Sequence, residues 1–208
     1  MNEKSVLEAS DVERTLRRIA HEVVEKNPDL ADVALVGIHT RGVVIANRLH
    51  EILHELTGGE VDLGEIDISF YRDDIGARAP GAQPVVHATR LDFAINGRTV
   101  VLVDDVLFTG RTVRAGIDAL FDYGRPARVQ LAVLCDRGHR ELPIRPDYVG
   151  KNLPTSRGER VTVSALDPVN LAGIVTPGAK VASQPGKSVI YVDGLPVDAW
   201  CSHQQATR

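Results

Sequence analysis

Cysteine is scarce in this 208-residue chain. Cys135 sits in an apolar run and Cys201 near the C-terminus. Two such positions make neither a disulfide framework nor a metal-ligand spacing, so Cys135 reads as a core residue. Long apolar runs are missing too, since no stretch approaches the eighteen or so uncharged residues of a membrane-spanning helix. The start, Met1-Asn2-Glu3-Lys4, lacks the charged-then-apolar form of a secretion signal, which predicts a cytoplasmic protein with no membrane partner. Positive charge is not in excess: the net charge of -4 argues against a protein that coats nucleic acid, DNA included, by neutralising phosphates. No internal repeat or low-complexity block interrupts the chain, and 43% hydrophobic residues suffice for one compact domain with its own core.

What is present is an alternation of helical and strand patterns. Ser10 and Glu13 have the spacing of a capping box, and Val12, Leu16, Ile19 and Val23 recur on one helical face up to Pro28. Val33 to Ile38 reads as a buried strand leading into the turn Gly37-Ile38-His39-Thr40-Arg41-Gly42. A helix from about Val43 to Leu56 follows, closed by Gly58-Gly59. Ile66, Ile68 and Phe70 alternate with Asp67 and Ser69, which predicts a strand with one wetter face. Between Gly76 and Pro84 the composition turns to Gly, Pro, Ala and Arg without period, the mark of a functional loop inside a compact domain. Val100 to Val103 reads as a buried strand, then come Asp104-Asp105, the turn Thr109-Gly110-Arg111-Thr112, a helix to about Tyr123, and a strand from Arg128 to Asp136. Strand, turn, helix, strand implies a right-handed βαβ crossover, hence an α/β fold with a mainly parallel sheet flanked by helices. Ligands of such sheets bind beyond the carboxyl ends of the strands.

One such strand end carries an arrangement suited to a sugar phosphate. The amides of Leu107, Phe108, Thr109, Gly110, Arg111 and Thr112 can converge on a phosphate that the helix N-terminus also favours, with the Thr109 and Thr112 hydroxyls as further donors. Asp104 and Asp105 can accept hydrogen bonds from the vicinal hydroxyls of a ribose. A plain surface turn needs only one such acid. The loop lacks the Gly-Lys-Ser/Thr ending of a Walker A motif.

The stretch Val100-Val-Leu-Val-Asp-Asp-Val-Leu-Phe-Thr-Gly-Arg-Thr112 resembles the signature with which type I phosphoribosyltransferases bind phosphoribosyl pyrophosphate (PRPP), and Gly37 to Gly42 resembles their pyrophosphate loop. Six further stretches resemble the PyrR family, which pairs pyrimidine operon attenuation with uracil phosphoribosyltransferase activity. They are Arg18-Ile-Ala-His-Glu22, Gly64-Glu-Ile-Asp-Ile68, Tyr71-Arg-Asp-Asp74, Gly124-Arg-Pro126, Asp136-Arg-Gly-His-Arg-Glu-Leu-Pro143 and Asp147-Tyr-Val-Gly-Lys-Asn-Leu-Pro-Thr-Ser156. The resemblance spans about residues 2 to 165, and its last two stretches discriminate best.

It implies the reaction uracil plus PRPP to UMP and diphosphate, in a homodimer or higher homo-oligomer. Thr40, Arg41, Arg72, Asp104, Asp105 and Val106 to Thr112 would hold PRPP, Asp136, Arg137 and Gly138 would face uracil, and Asp104, Asp105 and Arg41 would carry catalysis. Mg2+ would be held mainly by PRPP rather than by a protein cage. A lid over about residues 71–90 and a small base-covering subdomain complete the expected domain of residues 1–175, with 176–208 as a tail in which Val189 to Leu195 suggests a hairpin around Asp193-Gly194.

The resemblance also implies contact with the structured leader mRNA of pyrimidine genes, tuned by UMP or UTP. Arg18, His21, His139, Arg140, Arg145, Lys151 and Thr155 match positions linked there to RNA, and Arg17 stands where some relatives carry threonine. Residues 137–160 hold six Arg or Lys against three Asp or Glu, a basic patch within an acidic chain. Two rival expectations stay open: a phosphoribosyltransferase for another base such as a purine, and a PRPP- or nucleotide-sensing regulator without turnover.

Overall fold

In the computed structural model of the chain, residues 6–73 and 87–163 are described in full, and residues 190–192 and 195–197 by their backbone. The chain divides into two compact units, residues 1–166 and 167–208. In the first, α1 (Ala9–Lys26), β1 (Val33–Ile38), α2 (Arg41–Thr57), β2 (Asp62–Ile66), β3 (Thr99–Leu107), α3 (Arg111–Phe121), β4 (Arg128–Asp136) and β5 (Tyr148–Asn152) follow one another. The five strands form one sheet in the order β2-β1-β3-β4-β5, with every pair parallel. This is the expected α/β architecture. In the second unit β6 (Ile190–Val192) and β7 (Leu195–Val197) pair antiparallel, which agrees with the hairpin read around Asp193-Gly194. The expected lid falls mostly on residues 74–86, and Cys201 on the tail, all outside the described residues.

The strand order reverses between β1 and β3, and ligands settle in the crevice that such a reversal opens at the carboxyl ends. All six residues of β1 and the first six of β3 except Thr99 are buried, the uninterrupted apolar run of strands covered on both faces. β1 stops pairing with β3 at Gly37↔Val103, whereas β3 goes on beside β4 to Leu107↔Asp136. The last four residues of β3 therefore have a neighbour on one side only.

Three local expectations shift. The first helix is capped at Glu8, whose N–H donates to the Asp11 carboxylate at 3.0 Å, so Ser10 lies within the helix and not at its cap. The strand expected around Ile66 to Phe70 instead ends at Ile66. There the Asp67 carboxylate accepts from Ser69 N at 2.8 Å and Ser69 Oγ at 2.7 Å and turns the chain, leaving Ile68 buried and Phe70 73% exposed. Asp104 and Asp105 lie inside β3 and not after it, because the β4 pairing continues past them.

Gly42 fixes how α2 meets the sheet. A Cβ there would stand 2.3 Å from the carbonyl oxygen of Val103, so only glycine lets the first turn of α2 rest on the β3 backbone. Gly42→Ala is expected to destabilise by about 1–3 kcal/mol, or about 2–4 °C per kcal/mol in the melting temperature of a domain this size, which calorimetry would measure.

Candidate active site at the β1/β3 switch point

β1 delivers His39 and Thr40, joined by a cis peptide bond, directly into the first residue of α2, Arg41. The contact through Gly42 keeps this turn against β3, and the Arg41 guanidinium lies 3.9 Å from Asp105 Oδ2. Asp104 and Asp105 are consecutive near the end of the strand, and their carboxyls stay close enough to interact directly. Asp105 turns towards Arg41 while Asp104, only 6% exposed, lines a cavity of about 290 Å³. The rest of that cavity is Arg72, Asp73 and every residue from Val106 to Val113. The PRPP set read from the sequence is thus largely assembled in one place, with Thr40, Arg41 and Asp105 on its β1 side.

The floor is the start of α3. Gly110 has a φ of +93°, a backbone conformation that glycine adopts without strain, and from it the helix begins at Arg111. The first N–H groups of a helix have no acceptor in the preceding turn and point out of its end, where the aligned peptide dipoles favour an anion. Arg111 brings its amide here, but its guanidinium pairs with Asp73 and, at 2.8 Å, with Glu141. Those two partners were not singled out from the sequence, although Asp73 lies inside the Tyr71-Arg-Asp-Asp74 stretch.

The Asp104 carboxyl is pushed well above the usual carboxylate range by burial and by the neighbouring Asp105 carboxylate, with the Arg72 guanidinium pulling the other way. Cys135, expected in the core, is indeed buried, and burial followed by the Asp105 charge moves its thiol up to about 11.

The segment after β4 braces the loop that lines the cavity. Asp136 accepts from Gly138 N at 2.9 Å and from the Arg140 guanidinium, which also donates to Phe108 O at 2.8 Å and Ile144 O at 3.0 Å. Arg137 is buried, its guanidinium 4.1 Å from the centre of the Phe108 ring and donating to Thr155 Oγ1 at 3.2 Å and Ser156 O at 3.0 Å. Glu141 N and Leu142 N both donate to Thr109 O. The phosphate loop and the expected base-facing residues therefore brace each other, while Gly138, also expected beside the base, is exposed.

The family profile described as "Phosphoribosyl transferase domain" matches residues 2–166. A "Bifunctional protein PyrR" from Roseiflexus sp. (strain RS-1) is 61% identical over 161 residues, which is 77% of this chain and 87% of that protein. The chain belongs to the PyrR family of phosphoribosyltransferases. Proteins of the same name from Chloroflexus aurantiacus and Listeria welshimeri are 58% and 55% identical, over 78% of this chain and 88% and 89% of theirs. Among solved structures, hypoxanthine phosphoribosyltransferases from Trypanosoma cruzi and Staphylococcus aureus share the fold. Their TM-scores are 0.60 and 0.58 and their identities 19% and 18%, each alignment covering 74% of this chain and 80% of the other. The fold and family that the motifs implied are confirmed.

The residues that the PyrR resemblance linked to RNA fall into three places. Arg18 on α1 donates to Val149 O at 2.8 Å and Gly150 O at 2.7 Å, so it lies beside Lys151 on the edge strand β5, with exposed His21 one turn on along α1. Arg17 turns the other way, 3.1 Å from Glu55 of α2. His139 Nε2 meets Thr155 O at 2.6 Å and Arg140 braces Phe108, so these lie in the segment behind the cavity loop, while Arg145 is exposed. No helix among the described residues is long and apolar enough to cross a membrane.

A raised carboxyl pKa has a definite sign in stability. The folded protein holds the Asp104 proton more tightly than the unfolded chain, so the carboxyl opposes folding increasingly as pH rises from the ordinary carboxylate value through the raised one. Asp104→Asn should leave the ligand-free melting temperature unchanged near pH 3.5 and raise it at pH 7, by about 2–4 °C per kcal/mol of relieved repulsion, while suppressing turnover. Melting curves against pH check this.

Proposed function

We propose that this chain transfers the 5-phosphoribosyl group of PRPP to uracil and binds the structured leader RNA of pyrimidine genes. The observation that carries the enzymatic reading is the meeting, in one cavity, of the acid-bearing end of β3 with the N-terminus of α3. The amides from Gly110 onward, with the Thr109 and Thr112 hydroxyls, take the 5-phosphate, and Asp104 and Asp105 accept from the ribose 2- and 3-hydroxyls. Thr40, Arg41 and Arg72 then face the pyrophosphate. Uracil lies against Asp136, Arg137 and Gly138, whose backbone can match the carbonyl, N–H, carbonyl edge of a pyrimidine.

In the reaction the bond from the ribose anomeric carbon to pyrophosphate breaks and one to uracil N1 forms, with loss of the N1 proton. Positive charge develops on the ribose ring beside two carboxyls, and negative charge on the pyrophosphate beside Arg41 and Arg72, which is the electrostatic arrangement that lowers such a barrier. The adjacent carboxyls of Asp104 and Asp105 offer the oxygen donors a hard ion takes, and Mg2+, when bound with PRPP, would supply charge neutralisation on the pyrophosphate oxygens. Asp104 and Asp105 would meet it chiefly through its water shell.

A PRPP-dependent assay that measures diphosphate release tests this reading. Turnover with uracil and little with hypoxanthine is expected. Preference for the purine would replace uracil as the substrate, and ligand binding without diphosphate release would favour a sensor. Arg41→Ala should lower kcat/KM by about 10²-fold, on the scale of removing one electrostatic contact to the departing group.

For RNA, the α1/β5 edge supports the reading best, because Arg18, His21 and Lys151 lie together there on the side of the sheet remote from β1 and Arg41. Arg140 is a poor probe, since it also braces Phe108. Lys151→Ala with His21→Ala is expected to weaken binding of a pyrimidine-operon leader RNA about tenfold or more and to reduce its salt dependence, with uracil turnover within twofold of the parent. Filter binding beside steady-state kinetics checks both.

A further inference from the structure

Outside the residues considered so far, one contact joins the pyrophosphate loop to a different part of the chain. The rings of His39 and His87 stack with centroids 4.6 Å apart and planes 4° from parallel. His39 is the last residue before Thr40 and Arg41, and its side chain is only 13% exposed. We propose that His87 is a positioning residue for the pyrophosphate loop, holding the plane of His39, and through it the Thr40–Arg41 turn, by face-to-face stacking. The proposal rests on the reading of Thr40 and Arg41 as the pyrophosphate contact.

The polar edge of His39 does not do this work. Its Nε2 is buried and has no hydrogen-bond partner among the described residues. Glu65 Oε2 lies 3.3 Å away, near enough for charge attraction but not aligned as a hydrogen bond, and the same carboxylate has Arg90 Nε at 3.5 Å from its other oxygen. The His87 face meets the imidazole on one side, and the backbone bond from His39 N to Ile66 O, 3.0 Å, holds its root.

His87, by contrast, is anchored through its backbone. Its N–H donates to Asp67 Oδ2 at 2.6 Å, Asp67 N donates to Thr89 Oγ1 at 3.0 Å, and Glu65 and Arg90 exchange two backbone bonds of 2.9 Å. Residues 87–90 are thus stitched along the outer edge of β2. Burial works to raise the Asp67 carboxyl, yet the bonds from Ser69 and His87 leave it below its ordinary value, as expected of a carboxylate that holds these strands together. Because the hydrogen bonds of this stitching use no His87 side-chain atom, changing the ring alters the stack and leaves those bonds in place. The ring then transmits to the loop a position fixed at β2, and small displacements of groups that hold a substrate are expensive in rate.

Steady-state kinetics with product inhibition by inorganic pyrophosphate tests it. His87→Ala should raise KM for PRPP and the inhibition constant of pyrophosphate in parallel, about three- to tenfold, the range set by the energy of one aromatic pair, with KM for uracil within twofold. His87→Phe keeps a flat face without ring nitrogens and should restore both constants. His39→Ala combined with His87→Ala should be no worse than the more damaging single change. Unchanged PRPP and pyrophosphate constants in His87→Ala, an equal rise in the KM for uracil, or no rescue by phenylalanine would overturn the proposal. Arg41→Ala separates the two layers. Unaltered pyrophosphate inhibition there overturns the reading of the loop and the proposal with it, whereas a change there with none in His87→Ala overturns the stack alone.

Discussion

Everything functional in this fold depends on a carboxyl group placed where it is electrostatically uncomfortable. Asp104 is buried beside a second acid at the point where the sheet changes direction. An isolated carboxylate in such a place is normally removed by selection for stability, or neutralised by a partner. Here Arg72 relieves it only in part, and Arg41 stands nearer to Asp105. On the proposed function the discomfort would be useful, because a ribose diol and the cation that travels with a pyrophosphate would relieve it on binding, and the same acids would face the positive charge that develops on the sugar. Charge prepared in advance needs no reorganisation at the moment of reaction.

The geometry around that carboxyl is held by contacts that cross between loops. Gly42 seats α2 on the β3 backbone, Arg140 links Asp136 to Phe108, and Glu141 and Leu142 both bond the carbonyl of Thr109. Sugar, phosphate and base subsites are thus one connected object. A residue such as Arg140 belongs to this object whatever else it touches, and so its removal is expected to report on the cavity before it reports on any external partner. The α1/β5 edge is joined to this object through backbone: β5 pairs Asn152 with Asp136, Leu153 N donates to Asp136 O at 2.7 Å, and Arg18 bonds the backbone of β5 and the Glu22 side chain.

Much of this was legible in the amino-acid order. Buried parallel strands announce themselves as short Val- and Leu-rich runs, and β1 and β4 fall where those runs predict, at Val33–Ile38 and Arg128–Asp136. The acid pair and the Gly110 turn were also legible, because each uses a residue type that a plain turn does not require. Less legible was whatever depends on tertiary pairing. Nothing local to Asp104 says that β3 will continue past it, since the reason is the partner strand β4. Alternation from Ile66 to Phe70 is a good strand signal, yet the Asp67 carboxylate captures Ser69 and ends the strand. His39 and His87 lie 48 positions apart with no motif to link them, and only the return of the chain along β2 makes them neighbours.

The segment between β4 and residue 156 connects the two activities physically. Arg137 stacks on Phe108 at the cavity and donates to Thr155 Oγ1 and Ser156 O, and His139 meets Thr155 O. Thr155 follows Lys151 by one short stretch beyond β5. On the proposed function, a ligand that moves Phe108 or Arg137 would pull on the short segment that leaves the basic edge. Coupling of this kind requires a differential contact in each state, and the Arg137–Thr155 bond is a contact that a base in the cavity and an RNA at the edge would both bear on. On the proposed function, sensing a uridine nucleotide and holding an RNA would need no second domain, because one buried guanidinium reaches from the Phe108 ring to Thr155 and Ser156 beyond β5.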